Sequence, residues 1–161
     1  QTDFKQGYAV TKYKNLKRDG SSGQSKDYSD IDIPLFRLPE MFLIYAEAAN
    51  KTNGDLAAAA GYINQLRQRA YGNTSGNIIA TALSGQAGLD FILDERAREL
   101  YWEGFRRTDL IRHHKFTEST YLWPWKGGIA GGTGVASYRS LYPIPSRDVN
   151  ANTNLVQNPG Y

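Results

Sequence analysis

Hydrophobic residues recur at helical spacing through the middle of the chain and lose that rhythm toward both ends. Over residues 40–50, Leu43, Ala46 and Ala49 line up with Phe42 and Tyr45 along one apolar face. Pro39 suits the first helical turn, where its missing N–H costs nothing. Asn53 and Gly54 stop this helix, and Asp55 is a natural N-cap for the next. The second helix carries Leu56, Ala59, Ile63, Leu66 and Ala70 and ends at Gly72, so a short turn makes the two an antiparallel hairpin. A third helix is predicted from Leu89 to about Glu103, with Leu89, Ile92, Leu93, Ala97, Leu100, Tyr101 and Phe105 along one side. A shorter helical piece follows over 107–113.

The hairpin has the layout of a tetratricopeptide-type repeat of about 34 residues. Small Ala46 and Ala58 fall where helices in such a repeat approach closely, and Phe42, Tyr45 and Tyr62 fall at bulky positions. A lone repeat cannot bury both of its faces, so more helices must stack on it. The flanks read differently. Residues 1–34 are extended or irregular, with a strand-like alternation over 8–13 and a polar Gly/Ser loop over 17–29. Residues 73–88 are a Gly/Ser/Thr-rich connection. Beyond Lys115, a flexible stretch with five glycines between Gly127 and Gly134 follows the aromatic run Tyr-Leu-Trp-Pro-Trp at 121–125. Pro143 and Pro145 keep the tail extended, with Leu141 and Ile144 expected to seat it on the helices. The expected fold is mainly α: a tetratricopeptide-like hairpin, a third long helix, extended loops and a C-terminal tail. It divides into an irregular segment 1–34 and a domain 35–161.

Composition narrows the chemistry. The 161 residues suffice for one core, and they contain no cysteine, which removes disulfides, thiolate zinc sites and thiol nucleophiles. The net charge is +3, but Arg96, Arg98, Arg106, Arg107 and Arg112 are interleaved with Asp94, Glu95, Glu99, Glu103 and Asp109. Such local neutralisation leaves no field for a phosphate backbone, which argues against nucleic acid. No run reaches the ~18–20 apolar residues of a membrane span. The chain opens without Met or a signal-like segment, so Gln1 reads as a cut or processed end. Eleven Tyr and three Trp supply ring surface with polar tips, suited to sugars or to an interface.

Four groups invite a functional reading. Asp27, Asp30 and Asp32 are close together but lack the glycine and closing Glu of a calcium loop, so solvated turns are preferred. His113 and His114 are adjacent and point apart, and Asp109 with His113 offers two ligands where a metal needs three or four. No metal or cofactor is expected. Glu95, Glu99 and Glu103 stand one helical turn apart, and paired carboxylates suggest glycoside hydrolysis. Arg96, Arg98, Arg106 and Arg107 nearby would lower their pKa values where a general acid needs one raised, which favours an ion-pair network. Trp102 continues the third helix and reads as core or interhelix packing. Trp123 and Trp125, with Tyr121, lie in a Pro- and Gly-punctuated loop where rings are free to stack on a sugar's C–H face, and these three are the candidate ligand-binding residues.

Three segments taken in order identify the chain further. Phe-Arg-Leu-Pro-Glu at 36–40 runs into Tyr-Ala-Glu-Ala at 45–48. Asp-Glu-Arg-Ala-Arg-Glu-Leu-Tyr-Trp-Glu-Gly-Phe-Arg-Arg-Thr-Asp-Leu occupies 94–110. Tyr-Pro-Ile-Pro at 142–145 is followed by Gln-Asn-Pro-Gly at 157–160. In this order they resemble the C-terminal region of the SusD/RagB family, over about residues 33–161, with Ile63, Asn64, Arg67 and Arg69 adding to the likeness. The resemblance implies an extracellular, outer-membrane lipoprotein that captures oligosaccharide without breaking bonds. It also implies a TonB-dependent, SusC-like transporter as partner and a lipidated N-terminal cysteine that this chain lacks. Members are several times longer, so the remainder of the same protein, N-terminal to this chain, is a further expected partner. Two alternatives stand beside it: a protein-interaction helical scaffold that binds no glycan, and an α-helical glycoside hydrolase using Glu99 or Glu103.

Overall fold

The computed structural model describes residues 3, 5–7, 10–25 and 27–161. Helix α1 spans Leu38–Thr52, entered through Pro39 and closed by Asn53 in the left-handed region at φ 53°. Helix α2 spans Leu56–Tyr71. Asp55 caps it, its carboxylate accepting the Ala58 N–H at 2.9 Å, and Gly72 ends it at φ 71°. The hairpin therefore forms where the periodicity and the capping residues place it. Its bulky positions also meet as expected: the Phe42 and Tyr62 rings stack at 4.7 Å, and Tyr45 meets Tyr62 edge-on at 5.2 Å. Of the small residues on this hairpin, Ala46, Ala59 and Ala60 are buried and Ala58 is half-buried.

Helix α3 spans Gly85–Glu99 and packs against α1. It begins four residues before the expected Leu89, because the Gly/Ser/Thr-rich connection is built rather than loose. A 3₁₀ turn, Ala80–Leu83, leads into it and drives Leu83 into the core. Gly88 permits this, since a Cβ there would stand 2.2 Å from the Leu83 carbonyl oxygen. Asn50 Nδ2 donates to the carbonyls of Leu83 (2.5 Å) and Gly85 (2.9 Å), tying the turn to α1. Asn64 does the same from α2, donating to Ile78 O at 2.9 Å and accepting the Ile78 N–H at 2.8 Å. Leu43, Ala46, Ala59, Ile63, Leu83 and Ile92 are fully excluded from solvent. Each large aliphatic side chain so buried contributes about 1.5–3 kcal/mol.

The third helix ends at Glu99, short of the expected Glu103. Trp102 (φ 62°) and Gly104 (φ 83°) turn the backbone through the left-handed region, which no helix can cross. Trp102 therefore does not continue the third helix, and it is 67% exposed rather than packed as expected. Helix α4, Arg106–Arg112, matches the expected short helical piece.

The chain forms two compact units. One is Val10–Arg106, holding α1 to α3; the other is Arg107–Tyr161 with the described residues before Val10. Among the described residues there is no strand, only an isolated bridge between Leu16 and Ser22. The expected alternation over 8–13 starts on Tyr8 and Ala9, outside the described residues, and Val10 to Tyr13 carry no strand. The tail folds on itself. It contains one further helix, α5 at Ser146–Ala151. Gln157 clamps Ile144, accepting its N–H and donating to its carbonyl at 2.8 Å each. Leu141, expected to seat the tail by burial, is 58% exposed, because polar bonds to backbone hold this segment.

Candidate functional site

The tempting carboxylates are neutralised from a distance in sequence. Arg37, just ahead of α1, grips Glu103 with a two-pronged fork, Nε to Oε2 and Nη2 to Oε1 at 2.8 Å each. Its Nη1 stands 2.9 Å from Glu99 Oε1. Lys12 adds a second cation to Glu103 and donates to the carbonyls of Glu99 (2.9 Å) and Tyr101 (3.0 Å). Arg69 meets Glu99 at 2.5 Å, while Arg67 and Arg98 both meet Glu95 at 2.7 Å. An ion-pair network is present: Arg98 takes part from the neighbouring sequence, and Arg37, Arg67, Arg69 and Lys12 join it from positions the local pattern did not reveal. Burial alone would raise the Glu103 pKa. The hydrogen bonds from Arg37 and Lys12 outweigh it and hold the carboxyl below its ordinary 4.5. A group held ionised in this way accepts charge-assisted bonds; it does not serve as a proton donor.

The aromatic loop is organised around a buried ammonium. Lys126 is 2% exposed, and its Nζ donates to the carbonyls of Lys115 (3.3 Å), Glu118 (2.5 Å) and Tyr121 (2.7 Å). Burial pulls its pKa below 10.5, with Glu118 opposing. The same Nζ lies 4.6 Å from the centre of the Trp123 ring. Trp125 takes a left-handed conformation at φ 69°, and its N–H donates to Ile129 O at 3.1 Å, closing the loop on itself. Gly132 sits where a Cβ would come 2.5 Å from the Trp123 carbonyl oxygen, so the return strand of the loop passes close only because it is glycine.

These constraints place Trp123 in the wall of a cleft of about 660 Å³, with Phe116, Tyr138, Tyr142 and Tyr161 and the guanidinium of Arg107. Phe116 and Trp123 are 6.3 Å apart at 29°. Tyr138 and Tyr161 meet edge-on at 4.9 Å. Arg107 lies 3.9 Å over Tyr142 and 5.1 Å from Phe116, and its Nη2 donates to the carbonyls of Arg139 and Ser140 at 3.0 Å. Tyr121 flanks Trp123 edge-on at 6.4 Å, and Trp125 lies outside the cleft wall, half-buried. The structure thus brings Trp123 and Tyr121 together and gives Trp125 a place in the loop's closure. Sequence reasoning missed Arg107, Phe116, Tyr138, Tyr142 and Tyr161 here. The density of tyrosines after residue 137 was the available signal. Flat ring faces with a fixed guanidinium among them suit a ligand with apolar faces and hydroxyl edges.

A second concavity, about 600 Å³, belongs to the helical unit and is lined by Tyr13, Ile31, Ile33, Leu35, Trp102 and Glu103 among others. The exposed Trp102 therefore stands at the edge of an apolar hollow. Asp30, one of the three aspartates considered for calcium, accepts the Gln24 N–H at 2.5 Å. Asp109 pairs with Arg112 at 3.0 Å, and among the described residues no three metal-ligating side chains gather. No helix among them is long and apolar enough to cross a membrane.

Comparison with known proteins agrees with the segments that carry the resemblance. The SusD family model matches residues 1–161. The starch-binding protein SusD of Bacteroides thetaiotaomicron is 45% identical over 165 residues, covering 100% of this chain and 28% of the relative. A SusD-like protein of Formosa agariphila is 33% identical, covering 79% of this chain and 24% of its own length. The solved structure of NanU from B. fragilis superposes with a TM-score of 0.59 at 30% identity, covering 92% of this chain and 30% of that one. The chain thus spans under a third of the relatives it matches. With the family model matched from end to end and the helical fold shared with a solved neighbour, the chain belongs to the SusD family.

Proposed function

We propose that the full-length protein captures an oligosaccharide at the outer face of the outer membrane, without cleaving it, for uptake through a TonB-dependent, SusC-like transporter. Starch-derived α-glucans are the first ligands to test, because a relative named for binding starch is 45% identical across the whole chain. The observation that carries the reading inside this chain is the ring of Trp123 in a cleft wall shared with Tyr138, Tyr142 and Arg107. Trp123 supplies the stacking face, Tyr121 and Trp125 support its loop from either side, and Arg107 offers donors to hydroxyls. Affinity rises from stacking and hydrogen bonds alone, so the site has no need of a titrating acid. The carboxylates best placed for hydrolysis, Glu99 and Glu103, are engaged by Arg37 and Arg69, in keeping with a binding protein. As in other members, a lipid anchor on the full-length protein would hold it at the cell surface.

The test is a calorimetric titration of the full-length protein with maltooligosaccharides, run beside its Trp123→Ala variant. Loss of one stacked ring is expected to weaken binding about 5- to 30-fold while leaving the melting temperature nearly unchanged. Unaltered affinity removes this cleft from the binding site. Absence of any glycan binding by the wild type favours the interaction-scaffold reading, and reducing-sugar release by the wild type overturns the non-catalytic one.

A further inference from the structure

The chain's net charge is not spread evenly. Residues 107–161 hold six Lys and Arg against three Asp and Glu, so the whole +3 falls in this segment, while residues 1–106 hold thirteen of each. None of the three acids lines the Trp123 cleft: Asp109 is buried against Arg112 at 3.0 Å, and Glu118 and Asp148 are exposed outside its wall. The wall carries Arg107, Lys126 and Arg139, and among the described residues no Asp, Glu, Asn or Gln lines it. Lys126 sets its buried ammonium 4.6 Å from the centre of the Trp123 ring. Glu118 is the acid that acts on this ammonium, and from an exposed position its effect is weakened by solvent.

Such a wall is rich in donors and poor in acceptors. Arg, Lys and the indole N–H donate only. The carbonyls of Arg139 and Ser140 already accept from Arg107, and those of Glu118 and Tyr121 from Lys126. Side-chain acceptors reduce to the hydroxyls of Thr133 and three tyrosines, of which Tyr161 already donates its own to Leu141 O at 2.8 Å. A neutral sugar hydroxyl brings a further donor with every acceptor, whereas a carboxylate or sulfate brings acceptors alone. Arg107 is prepared for such a group. Its Nη2 bonds and its place 3.9 Å over the Tyr142 ring fix the guanidinium, while its Nε and Nη1 bond to no described residue. Arg139, whose carbonyl Arg107 holds, is exposed beside it. A guanidinium fixed in this way matches a planar or forked anion better than any other side chain does. We propose that the Trp123 cleft selects a glycan bearing an acidic substituent, a carboxylate or a sulfate ester, with Arg107 and Arg139 on the anion and the rings on the pyranose face. The assignment rests on the reading of this cleft as a glycan site and narrows its ligand from oligosaccharides at large to acidic ones.

Matched pairs of probes isolate the charge. The full-length protein is titrated with hexagalacturonate beside its methyl ester, and with sulfated maltohexaose beside maltohexaose. The same titrations are run on the Arg139→Gln, Arg107→Gln and Trp123→Ala variants, each with a thermal melt. The acidic member of at least one pair is expected to bind about tenfold tighter or more than its neutral partner, and the preference should shrink as salt is raised about tenfold. The pair that shows the preference tells carboxylate from sulfate, and either supports the proposal. Arg139→Gln changes an exposed side chain and should remove most of the preference at an unchanged melting temperature; Arg107→Gln should do so with some loss of stability, because it also ties backbone. Equal affinity within both pairs, all weakened by Trp123→Ala, keeps the glycan site and overturns the acidic ligand. A preference that survives both arginine changes places the anion elsewhere and overturns it too. Glycan binding that is absent, or that Trp123→Ala leaves unaltered, overturns the reading of the cleft and this inference with it.

Discussion

At the scale of single residues, two buried charges carry more of the architecture than their neighbours in sequence suggest. Glu103 joins Arg37 and Lys12, and its depressed pKa has a definite consequence for acid stability. As the pH falls below 4.5 the unfolded chain takes up this proton before the folded chain does. The contribution is therefore complete above that value and is lost as the pH drops through the lower, folded one. Glu103→Gln should cost about 1–3 kcal/mol near neutral pH, and the gap from wild type should narrow in urea melts at about pH 3. Lys126 is the second case. Lys126→Met leaves the Lys115, Glu118 and Tyr121 carbonyls without their shared donor, and an expected loss of about 3 kcal/mol is accompanied by changed Trp fluorescence as Trp123 loses its neighbour. The cations involved, Lys12, Arg37 and Lys126, were visible in the sequence only as ordinary lysines and arginines. Glu103 lies 66 residues along the chain from Arg37, whereas Lys126 reaches backbone carbonyls only 5 to 11 residues away, and no local pattern of side chains encodes either pairing.

At the scale of elements, caps and periodicity made the hairpin readable in advance. Asp55 starts α2 and Gly72 stops it by local chemistry, and local chemistry is what a sequence displays. The start of α3 was hidden because it depends on a contact. The 3₁₀ turn and Gly88 make sense only once the Leu83 carbonyl is seen against the helix. Two glycines in helices separate these kinds of constraint. Gly88→Ala should destabilise the protein by about 2–4 kcal/mol, since the new Cβ meets backbone that cannot swing aside. Gly61→Ala, exposed within α2 with nothing within 4 Å of the added carbon, should stabilise by about 0.5–1 kcal/mol. Thermal melts of the two variants, moving in opposite directions, check both expectations.

At the scale of the molecule, each compact unit is held by a different kind of bonding. Aliphatic burial centres the unit built on α1 to α3, whereas the segment after Arg107 is held largely by side chains bonded to backbone. Gln157→Ala should therefore leave the helices intact while the Ile144 amide, stripped of its acceptor, exchanges with deuterium about tenfold faster or more. Exchange at Ile63 serves as the unchanged reference. The helical class, the hairpin and the family resemblance were all set down by the chain itself, because periodicity, capping residues and a contiguous run at 94–110 are local properties. Tertiary structure alone decided which cations reach Glu99 and Glu103, that Trp102 points outward, and that Trp123 shares a cleft with Tyr138 and Arg107. Those outcomes depend on where the backbone turns through the left-handed region and on what a distant segment brings alongside, and side-chain identity in one stretch of chain specifies neither.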